Sequence, residues 1–157
     1  MATPTDFIII QGSATKAVIV KRIKLTGAAT AAGNMPVQAV RRSTAGTIGS
    51  AVLTAVTPGK ADSTDATATA TVSTVGTANY DVVGTSAGVV ATSRLQMTAL
   101  GTGVAIVPTV WEFAASQKDK GIRLRGTSEY LALNLNGAAI PAGGVIDYEI
   151  EIEEVAA

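Results

Sequence analysis

Runs of alternating apolar and polar residues, separated by glycine-rich turns, recur along this chain. In the last run, Val145–Val155, isoleucine and tyrosine side chains fall on one face and acidic side chains on the other. A period of two is typical of a strand with one buried face. The same pattern predicts further strands at Phe7–Ile10, Ala17–Leu25, Pro36–Ser43, Ala66–Val75, Ala91–Leu100, Val104–Phe113, Ile122–Leu124 and Tyr130–Leu135.

Two segments leave a short helix open as an alternative. Ala51–Val56 fits either a strand or a short helix, and Ala91–Leu100 is predicted as a strand although a short helix would also fit. Within Ala17–Leu25, strict alternation places Ile19, Ile23 and Leu25 on one face together with Lys21. The other face would then carry Val18, Val20, Arg22 and Lys24.

Many short strands joined by glycine turns, with no convincing long helix, indicate an all-β fold. We expect a β-sandwich or jelly-roll-like arrangement of about eight short antiparallel strands. Residues 1–157 are predicted to form a single domain. It would have a short N-terminal arm (1–6) and a variable, loop-rich middle (44–103), where the alternation is weakest.

Composition narrows the possible functions. Hydrophobic residues make up 47% of the 157 residues but are mostly alanine and valine, so the core is thin and partner subunits would help to complete it. Twelve basic residues balance twelve acidic ones, so the protein has no net charge that would attract it to nucleic acid or to an anionic membrane. Histidine and cysteine are both absent. We therefore expect no enzyme activity, no cofactor and no metal site.

The N-terminus and the apolar runs bear on localisation. MATPTDFIIIQGS lacks the basic start and long apolar stretch of a signal peptide. No apolar run approaches the roughly 20 residues of a transmembrane helix. These features predict synthesis in the cytoplasm and no membrane partner.

Charges of opposite sign are concentrated at the two ends of the chain and suggest an interface. The acids of the last run are spaced along one straight strand face, which cannot surround a cation, so a solvated or interface-facing surface is expected. Arg123 and Arg125 share a face and either pair with the acids across the sheet or remain exposed on an edge. The opposite charges would pair within the molecule or between subunits. The candidate interface residues are Lys21, Arg22, Lys24, Arg123, Arg125, Asp147, Glu149, Glu151 and Glu153.

Two segments, with the acidic closing run, carry a resemblance to a known family. GSATKAVIVKRIKLTGAATAAGNMPVQAVRRSTAG (Gly12–Gly46) and VWEFAASQKDKGIRLRGTSEYLALNLNG (Val110–Gly137) resemble small tailed-phage head decoration, or cement, proteins. The middle of the chain, Ile48–Leu100, is unmatched. The resemblance implies a β-rich, often trimeric virion protein on the capsid surface that bridges subunits of the major capsid protein. It implies no catalytic residues.

Some alternatives stay open at this point. Ala2–Asp6 and Pro58–Asp65 are the segments expected to reach the shell, although both could equally be solvated ends and loops. Another phage structural part, such as a tail or head–tail component, would share these features. So would a non-catalytic β-sandwich binding or adhesion module.

Overall fold

A computed structural model describes residues 6–47, 53–76, 81–101, 103–116 and 119–157. The described residues contain ten strands and no helix, which confirms the all-β prediction with more strands than expected. The strands are β1 Asp6–Gln11, β2 Lys16–Ala29, β3 Gly33–Arg42, β4 Leu53–Val56, β5 Thr71–Val75, β6 Ser86–Ala99, β7 Thr109–Glu112, β8 Ile122–Arg125, β9 Tyr130–Asn134 and β10 Val145–Ala156.

All ten strands belong to one sheet, which curls into a half-barrel, so a sandwich of two sheets or a jelly roll is not confirmed. The strand order is β10-β2-β6-β3-β9-β1-β5-β4. Long β2 organises one end of the sheet: β10 runs along one edge, while β8, β7 and β6 share the other edge in turn. The short β2–β6 contact is parallel, in contrast to the expected wholly antiparallel pairing.

The core lies inside the curl and is built by the period-two faces of the strands. Ile8 and Ile10 of β1 pack with Leu131 and Leu133 of β9, and β2, β3, β6 and β8 add further buried aliphatic side chains. The inward face of β10 packs against this cluster, and so does Trp111. The strand pattern read from the sequence therefore selects most of the core correctly, because inward side chains recur at every second residue where a strand is continuous.

One register shift changes the faces of β2. The pairing passes from Arg22 opposite Glu151 to Val20 opposite Ile152, so Lys21 is an extra residue, a β-bulge. The bulge reverses the alternation, and Val18 and Val20 become buried on the same side as Ile23 and Leu25. The prediction that these pairs lie on opposite faces was wrong, because strict alternation holds only where the ladder is continuous.

Two predicted strands are shorter than the sequence pattern suggested. Only Thr71–Val75 of the alternating Ala66–Val75 run is a strand, because the backbone before it bonds to a side chain of β10 instead of to a neighbouring strand. Only Thr109–Glu112 of Val104–Phe113 is a strand. Residues 103–108 precede β7 and are exposed. The strands on either side of this segment, β6 and β7, both pair with the same edge of β2.

Candidate interaction surface

The outer face of β10 and β2 carries a ladder of opposite charges. Along β10, the acids at alternate positions point away from the core, while its isoleucines pack against it. The pairing of the two strands sets Glu149 opposite Lys24 and Glu151 opposite Arg22. The charge clusters at the two ends of the chain therefore become neighbours within one molecule, because the last strand pairs with the second.

Several ion pairs connect the side chains of β2 and β10 in this ladder. Lys21 Nζ lies 2.7 Å from Glu153 Oε2, and Arg22 bonds the Glu149 carboxylate. Longer contacts of 3.6 Å join Arg22 Nε to Glu151 and Lys24 to Glu149. The hydrogen bond from Lys21 to Glu153, together with the charge of that carboxylate, raises the pKa of Lys21. Asp147 has no ion pair among the described residues.

We expect the ladder to contribute little to stability, because its side chains are 36–53% exposed. The Glu149→Gln substitution removes the charged partner of both Arg22 and Lys24. It should lower the free energy of unfolding by about 1 kcal/mol or less, and by less still at high salt. Urea unfolding at low and high salt measures this. A loss above about 2 kcal/mol that salt does not reduce would show that the ladder is a main structural support.

Arg123 and Arg125 do not pair with the acidic row. Their strand, β8, pairs with β2 on the side opposite β10, so one whole strand separates the two sets of charges. Neither side chain has an ion pair among the described residues. The alternative prediction, exposed charges near an edge, describes them better. All nine candidate interface residues nevertheless lie along the same three neighbouring strands, with β2 in the middle.

A broad groove lies beside β8, and residues of β3 and of the first half of β6 also line it. Its volume is about 1010 Å³, and the cationic side chains that line it include Lys21, Arg41, Arg123 and Arg125. Arg41 reaches across to the Arg123 carbonyl oxygen at 3.1 Å and pairs with Glu129 at 2.9 Å. We call this feature the basic groove. Asp119 and Glu153 also line it, so it is not uniformly positive.

A second exposed feature is apolar. Five large aliphatic side chains between Leu100 and Val110 are 44–61% exposed. No charged residue occurs between Arg94 and Glu112. Positive φ angles at Gly101 and Gly103, of 77° and 65°, turn the chain out of β6 into this segment. We call residues 100–110, apart from position 102, the apolar loop. A contiguous exposed apolar segment is typical of a surface that contacts another protein.

A buried polar network escaped the sequence analysis. Arg42 is only 8% exposed and donates two hydrogen bonds to the Asp6 carboxylate, at 3.0 and 2.7 Å. Asn134 donates to the same carboxylate at 2.7 Å. Arg42 also donates to the Gly84 carbonyl at 3.0 Å. A Cβ on Gly84 would lie 2.0 Å from the Thr44 carbonyl oxygen, so the segments over the network approach too closely for any other residue.

This network corrects the predicted N-terminal arm. Asp6 is the first residue of β1 and is buried, so the arm cannot extend through residue 6. Residues 1–5 of that prediction lie outside the described residues. The signal for the network was an acid directly before an apolar run, FIII, which is an unusual place for a solvated charge.

Glu154 forms a second contact that the sequence did not reveal. It follows the isoleucines on the inward face of β10 and accepts hydrogen bonds from the backbone of Thr69 and Ala70, at 2.6 and 2.5 Å. Lys16 pairs with its second oxygen at 3.1 Å. The predicted shell-contact loop, Pro58–Asp65, leads towards this point and lies beside the end of β10. We call the contact of Glu154 with Thr69 and Ala70 the Glu154 latch.

Neither a metal-binding cluster nor a membrane-spanning helix occurs in the described part of the chain. Over those ranges, no group of three acidic, histidine or cysteine side chains could hold a metal ion. Nor do they contain a helix long and apolar enough to cross a membrane. The exposed features of this part of the chain include the charge ladder, the basic groove and the apolar loop.

Comparison with known proteins finds no matching family model, no matching curated protein and no matching solved structure.

Proposed function

We propose that this protein decorates and stabilises the head of a tailed phage by bridging subunits of the major capsid protein. The observation that carries the proposal is the apolar loop, which presents five exposed aliphatic side chains on a sheet with a well-packed core. Exposed apolar surface of this kind favours a docking role. The resemblance of Gly12–Gly46 and Val110–Gly137 to head decoration proteins supplies the identity of the partner.

The proposal assigns a mechanical role with no catalytic step and no cofactor. A cement protein needs a stiff body and surfaces that match its neighbours, and the curled sheet supports this role by enclosing one core. We further propose that it acts as a homotrimer on the capsid surface and is made in the host cytoplasm. Subunit contacts would bury apolar area that the alanine- and valine-rich chain lacks when alone.

The direct test is binding of the purified protein to expanded, undecorated heads of the phage that encodes it. We expect the wild type to co-sediment with the heads and to raise their resistance to heat or to chelators. The Ile106→Asp substitution should weaken binding at least about tenfold, because it places a charge in the centre of the docking surface. The fold should be retained, because half of this side chain is already exposed.

Val82→Asp is the matched control, since Val82 is also an exposed aliphatic residue but lies outside the apolar loop. It should bind heads as the wild type does. Absence of binding at micromolar protein would contradict the proposal. Electron microscopy that shows the protein as a ring in a tail or head–tail junction would favour the alternative structural roles.

A further inference from the structure

The charge pairing within the molecule leaves some charges of each sign without an ion pair among the described residues. Arg123 and Arg125 project from β8 without an ion pair among the described residues, and so does Asp147 from β10. Glu149, two residues further along β10, has its pairs only with partly exposed cations. Exposed charges of this kind remain available to a partner, because intramolecular pairs at the surface are weak.

The two sets of charges, the cations of β8 and the anions of β10, have the same spacing. Residues two apart on a strand project on the same side, about 7 Å from each other. The spacing between the cations Arg123 and Arg125 is therefore the same as the spacing between the anions Asp147 and Glu149. Two extended segments placed side by side could pair both cations with both anions at once. Such pairing would attract the segments and also fix their register.

The two sets lie on strands on either side of β2. Arg123 and Arg125 belong to β8 on one side, and Asp147 and Glu149 belong to β10 on the other. The basic groove extends across β2 as far as Glu153, whereas Val145–Ile150 lies towards the other end of β10. Among the described strands β10 pairs with β2 alone, so its free edge offers unpaired backbone groups. The Glu154 latch covers only the last part of β10. The first half, Val145–Ile150, is left for a neighbour.

We propose that the basic groove of one copy of this chain receives the acidic edge, Val145–Ile150, of a second copy. Because groove and edge are different surfaces of the chain, the contact is head to tail instead of two-fold, and it forms a ring where the rotation between copies closes. A net charge of zero means that copies do not repel one another as they approach. The inference rests on the proposed function only for the number of copies in the ring.

Charge complementarity selects this occupant over a nucleic acid. Asp119 and Glu153 line the groove among its cations, and they would repel a continuous phosphate backbone. An edge strand that alternates carboxylates with isoleucine and tyrosine presents discrete charges that fit between them. The groove volume, about 1010 Å³, is at the top of the range of small-molecule pockets, which favours a peptide segment as the occupant.

The test is sedimentation of the full chain over a range of protein concentrations. We expect reversible self-association that weakens as salt rises from about 50 to about 500 mM. The double substitution Arg123→Glu/Arg125→Glu should weaken association at least about tenfold, and so should Asp147→Arg. An equimolar mixture of the two variants should associate more strongly than either variant alone, because the reversed charges attract across one interface.

Arg94→Glu is the matched control, because Arg94 is an exposed arginine of β6 that does not line the basic groove. It should associate as the wild type does, and near-ultraviolet circular dichroism should show that every variant is folded. A wild type that stays monomeric, or one whose association is unaffected by both charge reversals, would overturn the inference.

Head binding separates this inference from the proposed function. A wild type that stays monomeric yet decorates heads would overturn the contact between copies and leave the proposed function in place. A wild type that forms charge-dependent rings but does not bind heads would support the contact and contradict the decoration role. An acidic peptide or a nucleic acid that binds the groove while the chain stays monomeric would identify a different occupant and overturn the inference.

Discussion

Replacing Arg42 by methionine is expected to lower the free energy of unfolding by about 3–5 kcal/mol. Arg42 and Asp6 are both buried, and the guanidinium holds the carboxylate with two hydrogen bonds. Without Arg42, the Asp6 carboxylate would remain in the protein with only Asn134 as a described side-chain donor. A buried charge that loses its partner is costly, whereas the intact pair itself adds little net stability. Urea unfolding at neutral pH measures the effect.

A second substitution shows whether the loss comes from the stranded charge. In the double variant Asp6→Leu/Arg42→Met both charges are gone, so the double variant should recover a large part of the stability lost by Arg42→Met. Arg94→Met removes an exposed arginine and should change stability by no more than about 0.5 kcal/mol. A small effect of Arg42→Met, or strictly additive effects of the two changes, would show that the pair is not the main support of this region.

The Glu154→Gln substitution is expected to lower the free energy of unfolding by about 1.5–3 kcal/mol at neutral pH. The carboxylate accepts hydrogen bonds from the amide and the hydroxyl of Thr69 and from the Ala70 amide, and it pairs with Lys16. Burial raises the pKa of Glu154, but the hydrogen bonds from Ala70, Lys16 and Thr69 outweigh it, so the pKa falls below its ordinary value of 4.5. Glutamine keeps the size of the side chain but weakens these charge-assisted bonds.

The lowered pKa fixes the direction of the pH dependence. The stabilisation from the Glu154 latch is fully present above the ordinary pKa of 4.5 and is lost as the pH falls through the lower folded-state pKa. The difference in stability between wild type and Glu154→Gln should therefore shrink on acidification. Urea unfolding at a series of pH values measures it. Hydrogen exchange at the Thr69 and Ala70 amides reports opening of the latch directly.

Glu151→Gln is the control for this experiment, since Glu151 is an exposed acid of the same strand whose nearest cation is 3.6 Å away. It should have little effect at any pH. If Glu154→Gln and Glu151→Gln behaved alike, the Glu154 latch would not hold residues 69 and 70 against the sheet. Loss of the latch would also expose more of the β10 edge, which links this prediction to the inferred contact between copies.

The positions of most strands could be predicted because the signal for a strand is local. Alternation in Val145–Val155 and the short apolar run Phe7–Ile10 correspond to β10 and β1 almost residue for residue. Most of the candidate interface residues were chosen in the same way, since charges on one strand face recur at every second residue. Trp111, within the predicted strand Val104–Phe113, packs against the core.

Alternation says nothing about which strands become neighbours, and there the predictions failed or stayed open. Arg123 and Arg125 were as good a match for the acidic row as Lys21, Arg22 and Lys24. The order of the strands decides which cations pair with the acids, because β2 lies between β10 and β8. The strand at 66–70 was lost because the Glu154 side chain binds its backbone, a contact between residues far apart in the chain.

The sequence by itself determined that this protein is all-β, roughly where most of its strands lie along the chain, and that charges of opposite sign occur on its second and last long strands. These properties follow from the geometry of a single strand. The tertiary structure alone decided the order of the sheet, the bulge at Lys21, the burial of Asp6 with Arg42, and which charges were left without a partner. Each of these depends on contacts between residues far apart in the chain, and a period of two within one strand carries no record of them.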